Sequence, residues 1–83
     1  KMVNVNFHPK FKQKVSKLKD SHLLGKVKKQ IKKIIENPHV GKPMRNIRKG
    51  TREVYISPFR LSYAYLESER KIIILDLYHK DKQ

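Results

Sequence analysis

The chain has 83 residues, a formal net charge of +14 and no cysteine. This length allows one domain, predicted over residues 1–83, with a thin hydrophobic core. The lack of cysteine excludes disulfides and thiolate metal sites. No apolar run approaches the roughly 20 residues that span a bilayer, and residues 1–7 are too polar for a signal peptide. We therefore expect a cytoplasmic protein with no membrane partner.

The positive charge is the main clue to a partner. Twenty-one Lys and Arg face seven Asp and Glu. A field of this size attracts polyanions by counterion release and long-range steering, which favours a nucleic acid. An acidic protein or membrane surface, and a cationic surface that is merely solvated, are the alternatives. An acidic protein could also cover an RNA-binding face, so these interpretations are compatible.

The N-terminal half predicts a strand followed by two helices. Residues Val3–Phe7 alternate apolar side chains with asparagine, as half-buried strands do. Pro9 suits the first turn of a helix, and Asp20-Ser21 can cap a second helix that stops at Asn37-Pro38. Apolar residues recur at helical spacing: Phe11, Val15 and Leu18, then Leu23, Val27, Ile31 and Ile34. Two one-sided helices with a short connection predict a helical hairpin.

The C-terminal half predicts a loop and three strands. The loop covers His39–Thr51, and the strands cover Arg52–Ser57, Arg60–Leu66 and Ile72–Leu77, followed by a polar tail, Tyr78–Gln83. The apolar run Ile72–Leu75 is typical of a strand covered on both faces. The predicted class is α+β: the N-terminal strand joins a three-stranded antiparallel meander, and the helical hairpin packs on one face of the sheet.

The cationic residues form two clusters. Ten lysines lie between Lys10 and Lys33, on the polar sides of the helices. They form either a solvated helix face or a footprint on phosphate backbone. The second cluster, Lys42, Arg45, Arg48, Lys49 and Arg52, runs through the loop into the next strand. Arginine dominates it, and the planar guanidinium binds phosphate through two parallel hydrogen bonds.

A candidate site for RNA chemistry follows from the meander. Arg60 opens one strand and His79 and Lys80 leave the next, so we expect all three on one face at one sheet edge, with Arg60 exposed. His79 is the first candidate for proton transfer, because its ordinary pKa is near neutral. Glu53 is an alternative base or simply a partner of Arg52. The tyrosines are expected mostly to pack, although one could stack on a base. The carboxylates are scattered, so neither a metal nor another cofactor is predicted.

Three sequence elements resemble the RelE/ParE toxin superfamily: Gly41-Lys42-Pro43-Met44-Arg45, Phe59-Arg60-Leu61-Ser62-Tyr63 and Leu77-Tyr78-His79-Lys80-Asp81. The resemblance covers nearly the whole chain, because the order of strand, helical hairpin and three strands is shared. It implies a toxin of a type II toxin–antitoxin system that cuts messenger RNA in the ribosomal decoding site. It also implies a cognate antitoxin, with operator DNA bound only by the toxin–antitoxin complex. ParE-like members instead poison DNA gyrase, and a degenerate member could act only as a binding module.

The resemblance also assigns roles to residues. Arg60 matches an arginine that contacts the scissile phosphate, Lys80 a cation that assists the leaving group, and Arg45 a loop arginine that holds RNA. His79 matches a position where members carry histidine or lysine. The chain departs from RelE-like members that have two lysines where Glu53 and Tyr55 stand, and no counterpart of their C-terminal catalytic tyrosine follows Asp81. We therefore expect either chemistry based on histidine and glutamate or weak activity.

Overall fold

Residues 3–82 fold as two helices and a five-stranded sheet. The computed structural model describes residues 3–82. In chain order the elements are β1 Asn4–Phe7, α1 Pro9–Ser16, α2 Ser21–Glu36, β2 Lys42–Pro43, β3 Arg52–Ile56, β4 Phe59–Leu66 and β5 Lys71–His79. Short 3₁₀ turns follow β2, β4 and β5, at Asn46–Arg48, Glu67–Glu69 and Lys80–Lys82. The predicted α+β class and order are confirmed.

The sheet has the order β1-β5-β4-β3-β2. β3, β4 and β5 form the predicted antiparallel meander, and β1 pairs in parallel with β5. Two parts of the prediction were wrong, the loop before β3 and the end of the last strand. The loop contains a two-residue edge strand, β2, which Pro43 can join because an edge residue needs no second ladder bond. β5 continues to His79, because the expected tail residues Tyr78 and His79 pair with β4.

The helix signals of the sequence act as predicted. Pro9 stands at the start of α1, and the Asp20 side chain accepts hydrogen bonds from the backbone N–H groups of His22 and Leu23 at the start of α2. The apolar stripes pack against one face of the sheet, and the most buried residues of this core are Ile34, Leu61, Tyr63, Ile72 and Ile74. On the other face Ile73 and Leu75 are only half-buried, so the coverage of β5 on both faces is incomplete.

A β-bulge in β5 sets which side chains face away from the helices. Tyr63 of β4 pairs with Ile74, but the preceding residue Ser62 pairs with Asp76, so Leu75 is the extra residue. An extra residue reverses the alternation of a strand. Beyond the bulge, Leu77 therefore points into the core while Asp76 and Tyr78 turn to the opposite face.

Neither helix within residues 3–82 is long and apolar enough to cross a membrane.

Candidate functional site

Three side chains from neighbouring strands meet on the sheet face opposite the helices. Glu53 of β3 pairs with Ser62 of β4, and Arg60 of β4 pairs with both Tyr55 of β3 and Tyr78 of β5. Since paired residues of adjacent strands share a face, the register brings Glu53, Arg60 and Tyr78 together. The loop before β3 adds Arg48. We call these four residues the polar cluster.

Glu53 is the buried carboxylate at the centre of the polar cluster. Only 4% of its side chain is exposed. Its Oε2 accepts hydrogen bonds from Arg48 Nη1 at 3.2 Å and from the Tyr78 hydroxyl at 2.5 Å. Arg60 Nη1 lies 3.7 Å from the other oxygen, Oε1. A buried carboxylate is costly unless it is paired and hydrogen-bonded, and here two guanidinium groups and a phenol compensate it.

Tyr78 bridges Glu53 and Arg48 through its hydroxyl group. Its hydroxyl donates to Glu53 and accepts from Arg48 Nη1 at 2.6 Å, and the Arg48 guanidinium carbon lies 5.2 Å from its ring centre. Burial, and then the hydrogen bond to Glu53, raise the pKa of Tyr78 above its ordinary value. Tyr78 therefore stays a neutral phenol near neutral pH.

Arg60 differs from the exposed cation that we expected. About two-thirds of its side chain is buried, because it lies between Glu53 and the ring of Tyr55, whose centre is 5.9 Å from the guanidinium carbon. Two buried atoms in this contact, Arg60 Nε and Glu53 Oε1, have no hydrogen-bond partner. Arg60 is thus held near Glu53 by charge and packing, without the hydrogen bonds that fix Arg48. It is the cation in the polar cluster that can turn toward a phosphate most easily.

A cleft of about 490 Å³ opens beside the polar cluster. Arg48, Glu53 and Tyr78 line one part of it, and Lys10 and Lys14 of α1 line another. β1 ends opposite Ile74, which leaves the edge of β5 uncovered beyond that residue. At this edge Lys14 Nζ donates a hydrogen bond to the backbone carbonyl of Leu77, at 3.2 Å. Two helix lysines therefore belong to the cleft rather than to a solvated helix face.

Asp76 anchors these two lysines. Its Oδ1 accepts hydrogen bonds from Lys14 Nζ at 3.0 Å and from the backbone N–H of Leu77 at 2.8 Å, and its Oδ2 lies 3.5 Å from Lys10 Nζ. Lys10, Lys14, Arg48 and Arg60 together oppose two carboxylates, those of Glu53 and Asp76. The surroundings of the cleft therefore carry a net positive charge, which suits a phosphate.

His79 and Lys80 lie at the same end of the sheet as Arg60, but the expected common face was wrong for His79. His79 pairs with Phe59 and their rings contact edge to face, with centres 5.7 Å apart. Its Nδ1 accepts a hydrogen bond from the backbone N–H of Asp81 at 3.2 Å. Lys80 is exposed at the start of the last 3₁₀ turn, and its backbone N–H donates to the Pro58 carbonyl at 3.1 Å. His79 lies on the other face because the bulge in β5 turns Tyr78, instead of His79, toward Arg60.

The other predicted RNA-binding residues take different positions. Arg45 and Lys49 are exposed on either side of the 3₁₀ turn that carries Arg48. Arg52 Nη1 donates to the carbonyl oxygens of Gly41 and His39, at 2.7 and 3.1 Å. Arg52 thus holds the loop after α2, and it does not pair with Glu53 as one interpretation of the sequence proposed.

Tyr63 fixes the same loop from inside the core. Its hydroxyl donates to the Pro38 carbonyl at 2.7 Å and accepts the backbone N–H of Gly41 at 2.9 Å. A Cβ at Gly41 would stand 2.7 Å from the Tyr63 hydroxyl, so this approach requires glycine. Burial raises the pKa of Tyr63. The packing expected of the tyrosines is observed for Tyr63. The sequence pattern did not indicate that Tyr78 takes part in the polar cluster.

Comparisons with known proteins identify the family and the fold of this chain. Residues 5–83 match the family described as the ParE toxin of type II toxin–antitoxin systems, parDE. The chain belongs to this family. It is therefore a toxin of a type II toxin–antitoxin system, and the predicted membership of the RelE/ParE superfamily is confirmed. A comparison with curated proteins finds no match.

Solved structures share the fold of this ParE-family toxin. A chain of the RelBE2 toxin–antitoxin complex from Mycobacterium tuberculosis superimposes with a TM-score of 0.81 at 25% identity, covering 96% of this chain and 100% of that one. The isolated E. coli RelE toxin gives 0.80 at 15% identity, covering 98% of this chain and 87% of RelE. YafQ from E. coli strain BL21(DE3) gives 0.77 at 20% identity, covering 95% and 94%. The last two likenesses concern the fold alone.

No group of three or more His, Cys, Asp or Glu side chains that could hold a metal ion occurs within the described part of the toxin.

Proposed function

We propose that the toxin is a metal-independent endoribonuclease that cleaves messenger RNA in the ribosomal decoding site and so inhibits translation. The observation that carries this proposal is the polar cluster, in which a carboxylate and a neutral phenol stand between two guanidinium groups beside a cationic cleft. RNA supplies its own nucleophile, the 2′-hydroxyl. Cleavage then needs a proton acceptor, cations for the phosphorane and a proton donor for the 5′-oxygen.

The residues divide these tasks. Arg60 and Arg48 stabilise the phosphorane, since a guanidinium stays charged at any relevant pH. Glu53 is the final acceptor of the 2′-hydroxyl proton. Lys80, exposed just past the end of β5, serves the leaving 5′-oxygen, whereas His79 packs against Phe59 on the other face. Arg45 and Lys49 hold flanking phosphates, because they are exposed on the loop that carries Arg48.

The proposed partners follow from the family and the charge. The solved M. tuberculosis relative is a toxin–antitoxin complex, and an E. coli RelE mutant was solved with a peptide of the antitoxin RelBc. We infer that a cognate antitoxin holds this toxin inactive, and that an acidic surface on it matches the +14 charge of the chain. Operator DNA would be bound by the toxin–antitoxin complex only.

The test is cleavage of a defined messenger RNA on programmed ribosomes. Toxin should cut within the codon in the decoding site and leave a 2′,3′-cyclic phosphate and a 5′-hydroxyl, the products of attack by the 2′-hydroxyl. The same RNA without ribosomes should stay intact. Intact RNA in both reactions would contradict the proposal.

A second candidate is poisoning of DNA gyrase without nuclease activity. The family match favours it, since ParE names that branch, and so does the extensive compensation of Glu53, which a pure binding protein could use for stability alone. Gyrase supercoiling, measured with the same toxin preparation, distinguishes the two. Inhibited supercoiling together with intact RNA would favour this candidate.

A further inference from the structure

The burial of Glu53 makes direct contact between this carboxylate and RNA difficult. Its Oε1 is buried against Arg60. Its Oε2 already accepts hydrogen bonds from Arg48 and Tyr78. A general base must lie within hydrogen-bond reach of the proton that it removes, directly or through one intermediate. A proton from the cleft can therefore reach Glu53 most easily through a group that touches both.

Tyr78 is such a group. It lines the cleft and is half-buried, whereas Glu53 is almost fully buried. A phenol oxygen can donate one hydrogen bond and accept two. The Tyr78 hydroxyl donates to Glu53 Oε2 and accepts one bond from Arg48 Nη1. One acceptor position is left, and the 2′-hydroxyl of a bound ribose can donate to it.

We propose that Tyr78 is a catalytic residue that relays the 2′-hydroxyl proton of RNA to the buried carboxylate of Glu53. The relay rests on the proposed endoribonuclease function. As the O2′–P bond forms, the 2′-hydroxyl proton passes to the Tyr78 oxygen while the phenolic proton passes to Glu53 Oε2. The P–O5′ bond then breaks and the 5′-oxygen takes a proton from another donor. Glu53 afterwards returns its proton through Tyr78 to solvent.

The surrounding charges favour this direction of transfer. The raised pKa of Tyr78 keeps it a phenol, which can pass a proton on only if it accepts another at the same time. Arrival of the proton makes Glu53 neutral, so Arg48 and Arg60 lose their counter-charge as negative charge develops at phosphorus. The other ionisable groups at the cleft, Lys10, Lys14 and Asp76, pair with one another. Through the relay, the negative charge that balances the two arginines therefore passes from Glu53 to the phosphorane.

The test compares two RNA substrates on programmed ribosomes in single-turnover cleavage. One is ordinary RNA, and in the other a sulfur replaces the bridging 5′-oxygen of the scissile bond. A thiolate leaves without a proton, so the sulfur substrate restores variants that lack the acid but not variants that lack the base. Tyr78→Phe removes only the hydroxyl. It should slow cleavage of both substrates equally, by about 100-fold or more.

Two further variants complete the comparison. Glu53→Gln should slow cleavage of both substrates as Tyr78→Phe does, and the double variant should be no slower than either single one, because the two residues act in one relay. Tyr65→Phe removes a phenol hydroxyl from the helix-facing side of β4 and should cleave like wild type. The ratio of the two substrate rates for one variant does not depend on how much of that variant is folded.

Three outcomes would overturn the relay. Cleavage by Tyr78→Phe within about threefold of wild type means that its hydroxyl transfers no proton. A slow Tyr78→Phe that the sulfur substrate restores assigns Tyr78 to the leaving group. Failure of the wild type on both substrates overturns the endoribonuclease function and the relay with it, whereas either of the first two outcomes leaves that function standing.

Discussion

Replacing Arg60 with alanine should separate the chemistry of the toxin from its stability. Among residues 3–82, the substitution removes the only guanidinium close to Glu53 Oε1, at 3.7 Å, while Arg48 and Tyr78 still bind Oε2. An exposed ion pair contributes roughly 0–1 kcal/mol, and removing a charged partner from a buried carboxylate costs more, about 1–3 kcal/mol. Because Arg60 is about two-thirds buried, we expect the higher range. For a domain of this size that lowers Tm by about 4–24 °C.

The effect on cleavage should be larger than the effect on stability. A positioned donor on the developing phosphorane charge contributes about 2.7–4 kcal/mol, or about 100- to 1000-fold in rate. The assay is single-turnover cleavage on programmed ribosomes, run at a temperature where melting curves show each variant folded. Lys33→Ala is the matched control, because it removes an equal charge from the exposed face of α2. It should change both rate and Tm little.

A conservative variant distinguishes charge from geometry. Arg60→Lys keeps a positive charge beside Glu53, so its Tm should lie closer to wild type than that of Arg60→Ala, but its rate should stay low because an ammonium lacks the planar fork. Equal loss of cleavage in Arg60→Ala and Lys33→Ala would refute the reasoning. The cationic surface would then act by general attraction, and Arg60 would have no specific role at the phosphate.

Three other predictions follow from the contacts described above. Gly41→Ala should destabilise the toxin by about 1–3 kcal/mol in urea unfolding, because its Cβ would clash with the Tyr63 hydroxyl; Gly25→Ala, with open space around it, should stabilise α2 by about 0.5–1 kcal/mol. Because the pKa of Tyr78 is raised on folding, its stabilisation is complete below about pH 10 and is lost as the pH rises through the folded pKa. The stability of wild type minus that of Tyr78→Phe should therefore be constant up to about pH 10 and fall as the pH rises further, and a difference that stays constant above about pH 10 would contradict this. Binding of the cognate antitoxin should weaken at least about tenfold between low and high salt, mainly through the association rate; an affinity that salt leaves unchanged would exclude electrostatic steering by the +14 charge.

Local signals in the sequence determined most of the secondary structure. Asp20 caps α2 because its side chain reaches backbone N–H groups only two and three residues away. The apolar stripe of α2 gives Leu23, Val27 and Ile34 their places in the core. Interactions over a few residues along the chain are visible in the sequence, so the α+β class and the meander could be predicted. β2 could not, because its two residues form a strand only through pairing with β3.

The composition of the candidate site depends on contacts between residues far apart in the chain. Arg60 and Glu53 could be predicted as candidates from their residue types and neighbours. Arg52 binds the loop after α2 instead of Glu53, and Lys14 reaches Asp76, 62 positions away. No local pattern indicates which of several cations will meet a given carboxylate, because these partners depend on how the elements pack.

The bulge at Leu75 had the largest effect on the site. Reading β5 as an unbroken alternation from Ile74 would put Asp76 and Tyr78 on the core face and Leu77 on the other. The extra residue reverses this order, which buries Leu77 and turns Tyr78 toward Arg60 and Glu53. The sequence by itself determined the strands and the residues available for chemistry. The tertiary structure alone decided which of them share a face, because strand register is set by pairing across the whole sheet and one inserted residue reverses every side chain that follows it.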